Sequence, residues 1–168
     1  MSISSAFRKE LSENEIGKTI NFCYQCGTCS GICPGFRTNQ NFNPRRIIEK
    51  ALLGFKDNLL HDVNIWSCTT CHSCLEVCPQ GVLVSEILYE IRNKAGEVGN
   101  LPETHRAEAE RFATTGLNIP TSAAIQRRRK SFGLPEEIMT PNLDDIKKIC
   151  EATGIFKLIE NKKKEDEA

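Results

Sequence analysis

The sequence predicts an all-α protein, and three observations carry that prediction. Apolar residues recur at helical spacing in several segments, capping residues bracket those segments, and no stretch alternates apolar and polar residues as a strand would. In chain order, Ser12-Glu13-Asn14-Glu15 has the pattern of a capping box and predicts a helix running from there into Cys23. Asn43 suits an N-cap, Pro44 the first helical position and Gly54 the position past the end, so residues 43–54 read as a helix. Its apolar face is Ile47, Ile48, Ala51 and Leu52. Val84, Ile87, Leu88, Ile91, Ala95 and Val98 place the next helix over about residues 82–97.

Pro102 opens another helix, charged through Arg111 and Phe112, and a further one is expected near residues 122–132. Residues 142–153 form a helix with Asp144 and Asp145 early and Lys147 and Lys148 later, which suits the helix dipole, and Gly154 ends it. Cys150 shares its apolar face with Leu143 and Ile146, so a buried thiol is expected there. Residues 160–168 read as a charged, disordered tail.

Bulk properties exclude several functions. The 168 residues suffice for one domain with a modest core. Twenty-two basic residues balance 22 acidic ones, which argues against a nucleic-acid binder. No apolar run approaches the length of a membrane span; the longest resemble Gly81-Val82-Leu83-Val84. The first ten residues lack the apolar segment of a secretory leader, so a cytoplasmic protein is expected. In that reducing compartment the nine cysteines point to metal rather than to disulfides.

The cysteine spacing is specific. Cys23-x2-Cys26-x2-Cys29-x3-Cys33-Pro34 is repeated as Cys68-x2-Cys71-x2-Cys74-x3-Cys78-Pro79. Such runs hold paired [4Fe–4S] clusters, with the fourth cysteine of each run ligating the other cluster. Three closely spaced cysteines wrap one cubane, and the fourth, redirected by its proline, reaches the neighbour. The first cluster is therefore expected on Cys23, Cys26, Cys29 and Cys78. The second is expected on Cys68, Cys71, Cys74 and Cys33. Zinc is the alternative, but its sites use separated Cys/His pairs around one ion, a poorer match. A redox dithiol fits less well, because neither run sits in a βαβ pattern. Gly27, Thr28, Ser30 and Gly31, and Thr69, Thr70 and Ser73, let the backbone approach cluster sulfurs or simply permit the turns.

Other features carry bland readings. Arg127-Arg128-Arg129-Lys130 could meet an acidic partner but reads first as a solvated helix face. His72 could modulate its cluster but reads first as exposed filler, and Trp66, Phe22 and Tyr24 could shield a cluster or contact a partner but read first as packing residues. No nucleophile–base motif, phosphate loop or dinucleotide motif is present, so no catalytic residue is expected.

The chain resembles the small iron–sulfur subunit, the C subunit, of heterodisulfide reductase. The resemblance rests on Cys23-Tyr24-Gln25-Cys26-Gly27-Thr28-Cys29-Ser30-Gly31, on Asn43-Pro44-Arg45, and on Ile65-Trp66 ahead of Cys68-Thr69-Thr70-Cys71. Ile91-Arg92-Asn93 and Gly133-Leu134-Pro135-Glu136 extend it, over about residues 15–159. It implies an α-helical ferredoxin-type domain over residues 1–100 and a helical extension for partner docking over 101–159. It also implies a cytoplasmic complex of anaerobes, often methanogens. There the flavin-bearing A subunit passes electrons through the C subunit to the catalytic B subunit, which reduces the coenzyme M–coenzyme B disulfide. A hydrogenase or formate dehydrogenase feeds the complex. Related complexes with other acceptors, and a freely diffusing ferredoxin-like carrier, are the alternative functions.

Overall fold

Local sequence explains most of the helices in a computed structural model of the protein, which describes residues 3–135 and 138–160. Among the described residues every regular element is helical. They fall into two units, meeting in sequence between Asn100 and Leu101.

The first unit holds α1 (Ser5–Leu11), α2 (Glu15–Lys18), α3 (Thr28–Ile32), α4 (Pro34–Thr38), α5 (Pro44–Leu53), α6 (Lys56–Leu60), α7 (Ser73–Glu76) and α8 (Val84–Glu97). Two 3-10 turns, Thr19–Phe22 and Val63–Ser67, lead into the cysteine runs. The centre of the core is α5 against α8. Ile47, Ile48 and Ala51 face Ile87, Leu88, Ile91 and Ala95 in one buried cluster with Phe7, Leu11, Phe42 and Ile65. Each large side chain so buried contributes about 1.5–3 kcal/mol.

The ends of α5 show why it forms where it does. Asn43 Oδ1 accepts from Arg46 N at 3.1 Å, and Pro44 needs no amide partner in the first turn. Gly54 ends the helix at φ 77°, and a Cβ there would meet Ser4 O at 2.3 Å. Only glycine satisfies both the left-handed backbone and that close approach. Glu10 bonds Lys94 and lies 3.5 Å from Lys56, joining α1 to α8 and α6. Lys94 is the main cause that holds the Glu10 carboxyl below its usual range.

The second unit holds α9 (Glu103–Thr115), α10 (Ala123–Ser131), α11 (Leu143–Thr153) and α12 (Ile155–Glu160). Ile146 and Cys150 are its buried apolar side chains among the described residues. Arg106, 4% exposed, donates through Nη1 to Leu158 O at 2.5 Å and Ile159 O at 2.9 Å. It thereby satisfies carbonyls at the end of α12. Its Nε stands 4.0 Å from Glu103 Oε2, too far for a hydrogen bond. No residue of α10 is buried, so Arg127 to Lys130 form the solvated face expected of them.

Several expectations are corrected. The helix expected from Ser12 starts later, because Ser12 instead closes α1, its Oγ donating to Arg8 O at 2.8 Å. Asn14 is the true cap, accepting from Gly17 N at 2.6 Å, and the last turn before Cys23 is 3-10. Leu143 is exposed although it shares the periodicity of Ile146 and Cys150, and Val98 lies past the end of α8 and is exposed. Glu160, expected in the tail, ends α12, while residues 161–168, like Glu136, lie outside the described residues. Helices α1, α6 and α12 and the single turns between cysteines are too short for periodicity to reveal. Among the described residues no helix is long and apolar enough to cross a membrane.

Candidate metal centre

The two cysteine runs fold as conformational repeats. In the first, Gln25 (φ 65°) and Gly27 (φ 85°) are left-handed on either side of Cys26, and α3 begins at Thr28. In the second, Thr70 (φ 53°) and His72 (φ 58°) flank Cys71 in the same way, and α7 begins at Ser73. Reversing the chain before and after the middle cysteine turns three successive thiols toward one centre. Left-handed backbone costs a side-chain-bearing residue about 1–2 kcal/mol, so the curvature of the loops is strained at Gln25, Thr70 and His72.

The fourth cysteine of each run goes elsewhere. Cys33 is extended (φ −69°, ψ 118°) and Pro34 starts α4, so the chain leaves the first loop at that point. One cavity, with about 370 Å³ of atom-free space, is lined by Cys23, Cys26, Cys29 and Cys78 together with Arg45, Ile48, Val82 and Val84. A second, with about 300 Å³, is lined by Cys33, Cys68, Cys71 and Cys74 together with Phe42, Pro44, His72 and Leu88. Each cavity thus collects three thiols from one run and the fourth from the other. The two are neighbours, since α3 and α7 pack together.

Equivalent cysteines have equivalent environments. Cys26 and Cys71 are exposed, and each lies beside a hydroxyl two residues on: Thr28 Oγ1 at 3.3 Å and Ser73 Oγ at 3.4 Å. Those hydroxyls are the main cause that lowers both thiols below the ordinary value. Burial dominates at their partners. It raises Cys29, and it pushes Cys74 up to about 12, helped by the nearby Cys68, Cys29 and Cys33. The exposed Tyr24 beside Cys26 has its hydroxyl raised, chiefly through its hydrogen bond with that thiol.

Amides also reach the sulfurs. Phe36 N donates to Cys33 Sγ at 3.4 Å, Val82 N to Cys78 Sγ at 3.3 Å, and Gln25 Nε2 to Cys23 Sγ at 3.2 Å. Among the described residues no three His, Cys, Asp or Glu side chains are gathered as a single ion would need. Four thiols spread around a cavity, with N–H groups directed at the sulfurs, fit a polynuclear iron–sulfur group.

The remaining candidates sort by contact. Trp66 packs, its Nε1 donating to Asn100 O at 3.0 Å while the Arg92 guanidinium stands 4.8 Å from its ring. Phe22 and Tyr24 are 59% and 60% exposed, which corrects the packing expectation: the extended backbone at Cys23 turns its neighbours outward. His72 lines the second cavity and its Nδ1 is 3.1 Å from Ser85 Oγ and 3.3 Å from Glu86 Oε1, so it is more than filler. Cys150 lies in the second unit, buried, and lines neither cavity. Gln25 and Arg45 carry no functional expectation from the sequence, and Thr28 and Ser73 are expected to act through small size rather than through their hydroxyls. The hydroxyl two residues after each middle cysteine was the available signal.

Comparisons with known proteins agree with the chemistry of these loops. Residues 19–82 match the 4Fe-4S dicluster domain family. The C subunit of the H(2):CoB-CoM heterodisulfide,ferredoxin reductase of Methanothermobacter marburgensis is 37% identical over 159 residues, covering 90% of this chain and 85% of that protein. The iron-sulfur C subunit of the CoB--CoM heterodisulfide reductase of Methanopyrus kandleri is 34% identical, covering 91% and 85%. The C2 subunit of the H(2)/formate:CoB-CoM heterodisulfide,ferredoxin reductase of Methanococcus maripaludis is 41% identical, covering 74% and 66%. Likeness of this degree over most of both chains means that the protein belongs to the family of heterodisulfide reductase C subunits, as an iron–sulfur electron-transfer subunit of an oxidoreductase complex.

Proposed function

We propose that Cys23, Cys26, Cys29 and Cys78 hold one [4Fe–4S] cluster and Cys68, Cys71, Cys74 and Cys33 a second. Through them the chain relays electrons from the flavin-bearing A subunit of the complex to its catalytic B subunit, which reduces the coenzyme M–coenzyme B disulfide. The observation that carries this reading is the pair of adjacent four-thiol cavities, each completed by the other run. When bound, such clusters take up and release one electron at a time. The chain's own residues supply the setting. Ile48, Val82 and Val84 wall the first cavity against water, and Phe42 and Leu88 the second. Phe36, Val82 and Gln25 present N–H groups to sulfurs.

Residues 101–159 serve in this reading as the docking extension. Their unit leaves Ile119, Phe132, Leu134 and Met139 exposed, apolar side chains that permanent partners would cover. A hydrogenase or formate dehydrogenase in the same cytoplasmic complex is favoured by relatives whose names include H(2) and formate. Anaerobic purification of the native complex tests the proposal. It predicts co-purification with flavin and catalytic subunits and about eight irons per chain. Elution of the iron-loaded chain at monomer size from native extract would favour a free carrier, and stoichiometric zinc without iron would overturn the cluster assignment.

A further inference from the structure

The two cavities are alike in thiols and unlike in what surrounds them. At the first, Arg45 Nη1 donates to Gln25 Oε1 at 3.3 Å, and Gln25 Nε2 donates to Cys23 Sγ at 3.2 Å. Arginine can only donate, so Arg45 fixes which end of the Gln25 amide faces it. The NH2 end must then face the sulfur. Arg45 is itself held. Ser30, 7% exposed, accepts from Arg45 N at 2.9 Å and donates to Asn43 Oδ1 at 2.8 Å, locking the start of α5 onto α3. Glu49 Oε2 lies 3.8 Å from Arg45 Nη1, but Glu49 is absent from the cavity wall, which Arg45 lines.

The second cavity has no lining arginine or lysine. Its one ring nitrogen group, His72, stands 3.3 Å from Glu86, which, like Glu49, is absent from the cavity wall, so the difference between the walls is a guanidinium at the first against an imidazole at the second. Thr70 occupies the place of Gln25 and has no amide to offer.

We propose that Arg45 is a positioning residue that aims the Gln25 amide at Cys23, and that this array holds the first cluster at a higher reduction potential than the second. Reduction adds one negative charge with no bond made or broken. A hydrogen bond to a ligating sulfur and a nearby guanidinium both favour the reduced state. An electron shared by the pair therefore rests at the first cavity. The inference rests on the eight-cysteine ligand set proposed above.

Potentiometric titration of the full-length, cluster-loaded chain, followed by paramagnetic resonance, tests it. Cys26→Ser and Cys71→Ser identify which signal belongs to which cavity. The first cavity should titrate at the higher potential. Arg45→Gln and Gln25→Gly should each shift that signal alone to lower potential, by roughly tenfold in the reduction equilibrium, about 59 mV for one electron. Gln25→Gly suits the left-handed backbone, so it reports even where Arg45→Gln loses iron. Arg45→Lys, which keeps charge without the fork, should fall between. Equal shifts of both signals, a shift below twofold, or a first cavity that titrates lower in the parent protein would overturn the inference. A chain that binds no cluster would instead overturn the ligand set.

Discussion

The two units of this chain are built on opposite plans. In the first, α5 and α8 form a continuous core in which Ile48, Ile87, Leu88 and Ile91 are at most 1% exposed, and the thiols of Cys33 and Cys74 belong to that core. In the second, Ile146 and Cys150 are the buried apolar residues among those described, and a buried arginine takes the part that apolar packing plays elsewhere. The contrast teaches that the first unit is organised around its cavities, whereas the second is organised by a polar anchor. Cluster loading should then govern the order of one unit and hardly touch the other.

Removal of iron is the largest test of that contrast. Chelation of the reduced, anaerobic protein should abolish amide-exchange protection across α3, α5, α7 and α8, because ligation free energy is folding free energy. Protection in α9, α11 and α12 should persist; its simultaneous loss would erase the distinction between the units. Next in size, Ile87→Ala in the α8 core should cost about 2–5 kcal/mol by denaturant unfolding, through the cavity it leaves. Arg106→Met should cost about 1.5–3 kcal/mol, confined to the second unit, since two carbonyls lose a charged donor. Exchange protection in α9 and α12 reads that loss, and unchanged protection would remove Arg106 as the anchor. Smallest of all, Phe132→Ser at an exposed position should change the isolated chain's stability by less than about 0.5 kcal/mol. A larger loss there would show that this surface is already covered within the chain.

Much of this contrast was legible in the chain itself. The helix of residues 43–54 could be placed to within a residue because Asn43, Pro44 and Gly54 each answer a local requirement of a helix end. The same holds for Gly154 at the end of α11. Ser12 misled, since a capping residue can serve the helix behind it as well as the one ahead, and only the position of Arg8 O decides. Leu143 misled because periodicity gives a face without saying whether anything covers it.

The spacing of two cysteine runs, each ended by proline, pointed by itself to an iron–sulfur chemistry and to the shared-ligand plan proposed above, because thiol spacing and proline are properties of the local chain. The left-handed turns at Gln25, Thr70 and His72 could not be read, since none is the glycine that normally marks them. Nor could the meeting of Arg45 with Gln25, which are 20 residues apart, or of Arg106 with the end of α12, 52 residues on. Tertiary structure decided those contacts, for a hydrogen bond between distant residues depends on how helices pack, and packing sums many weak preferences that no single segment carries.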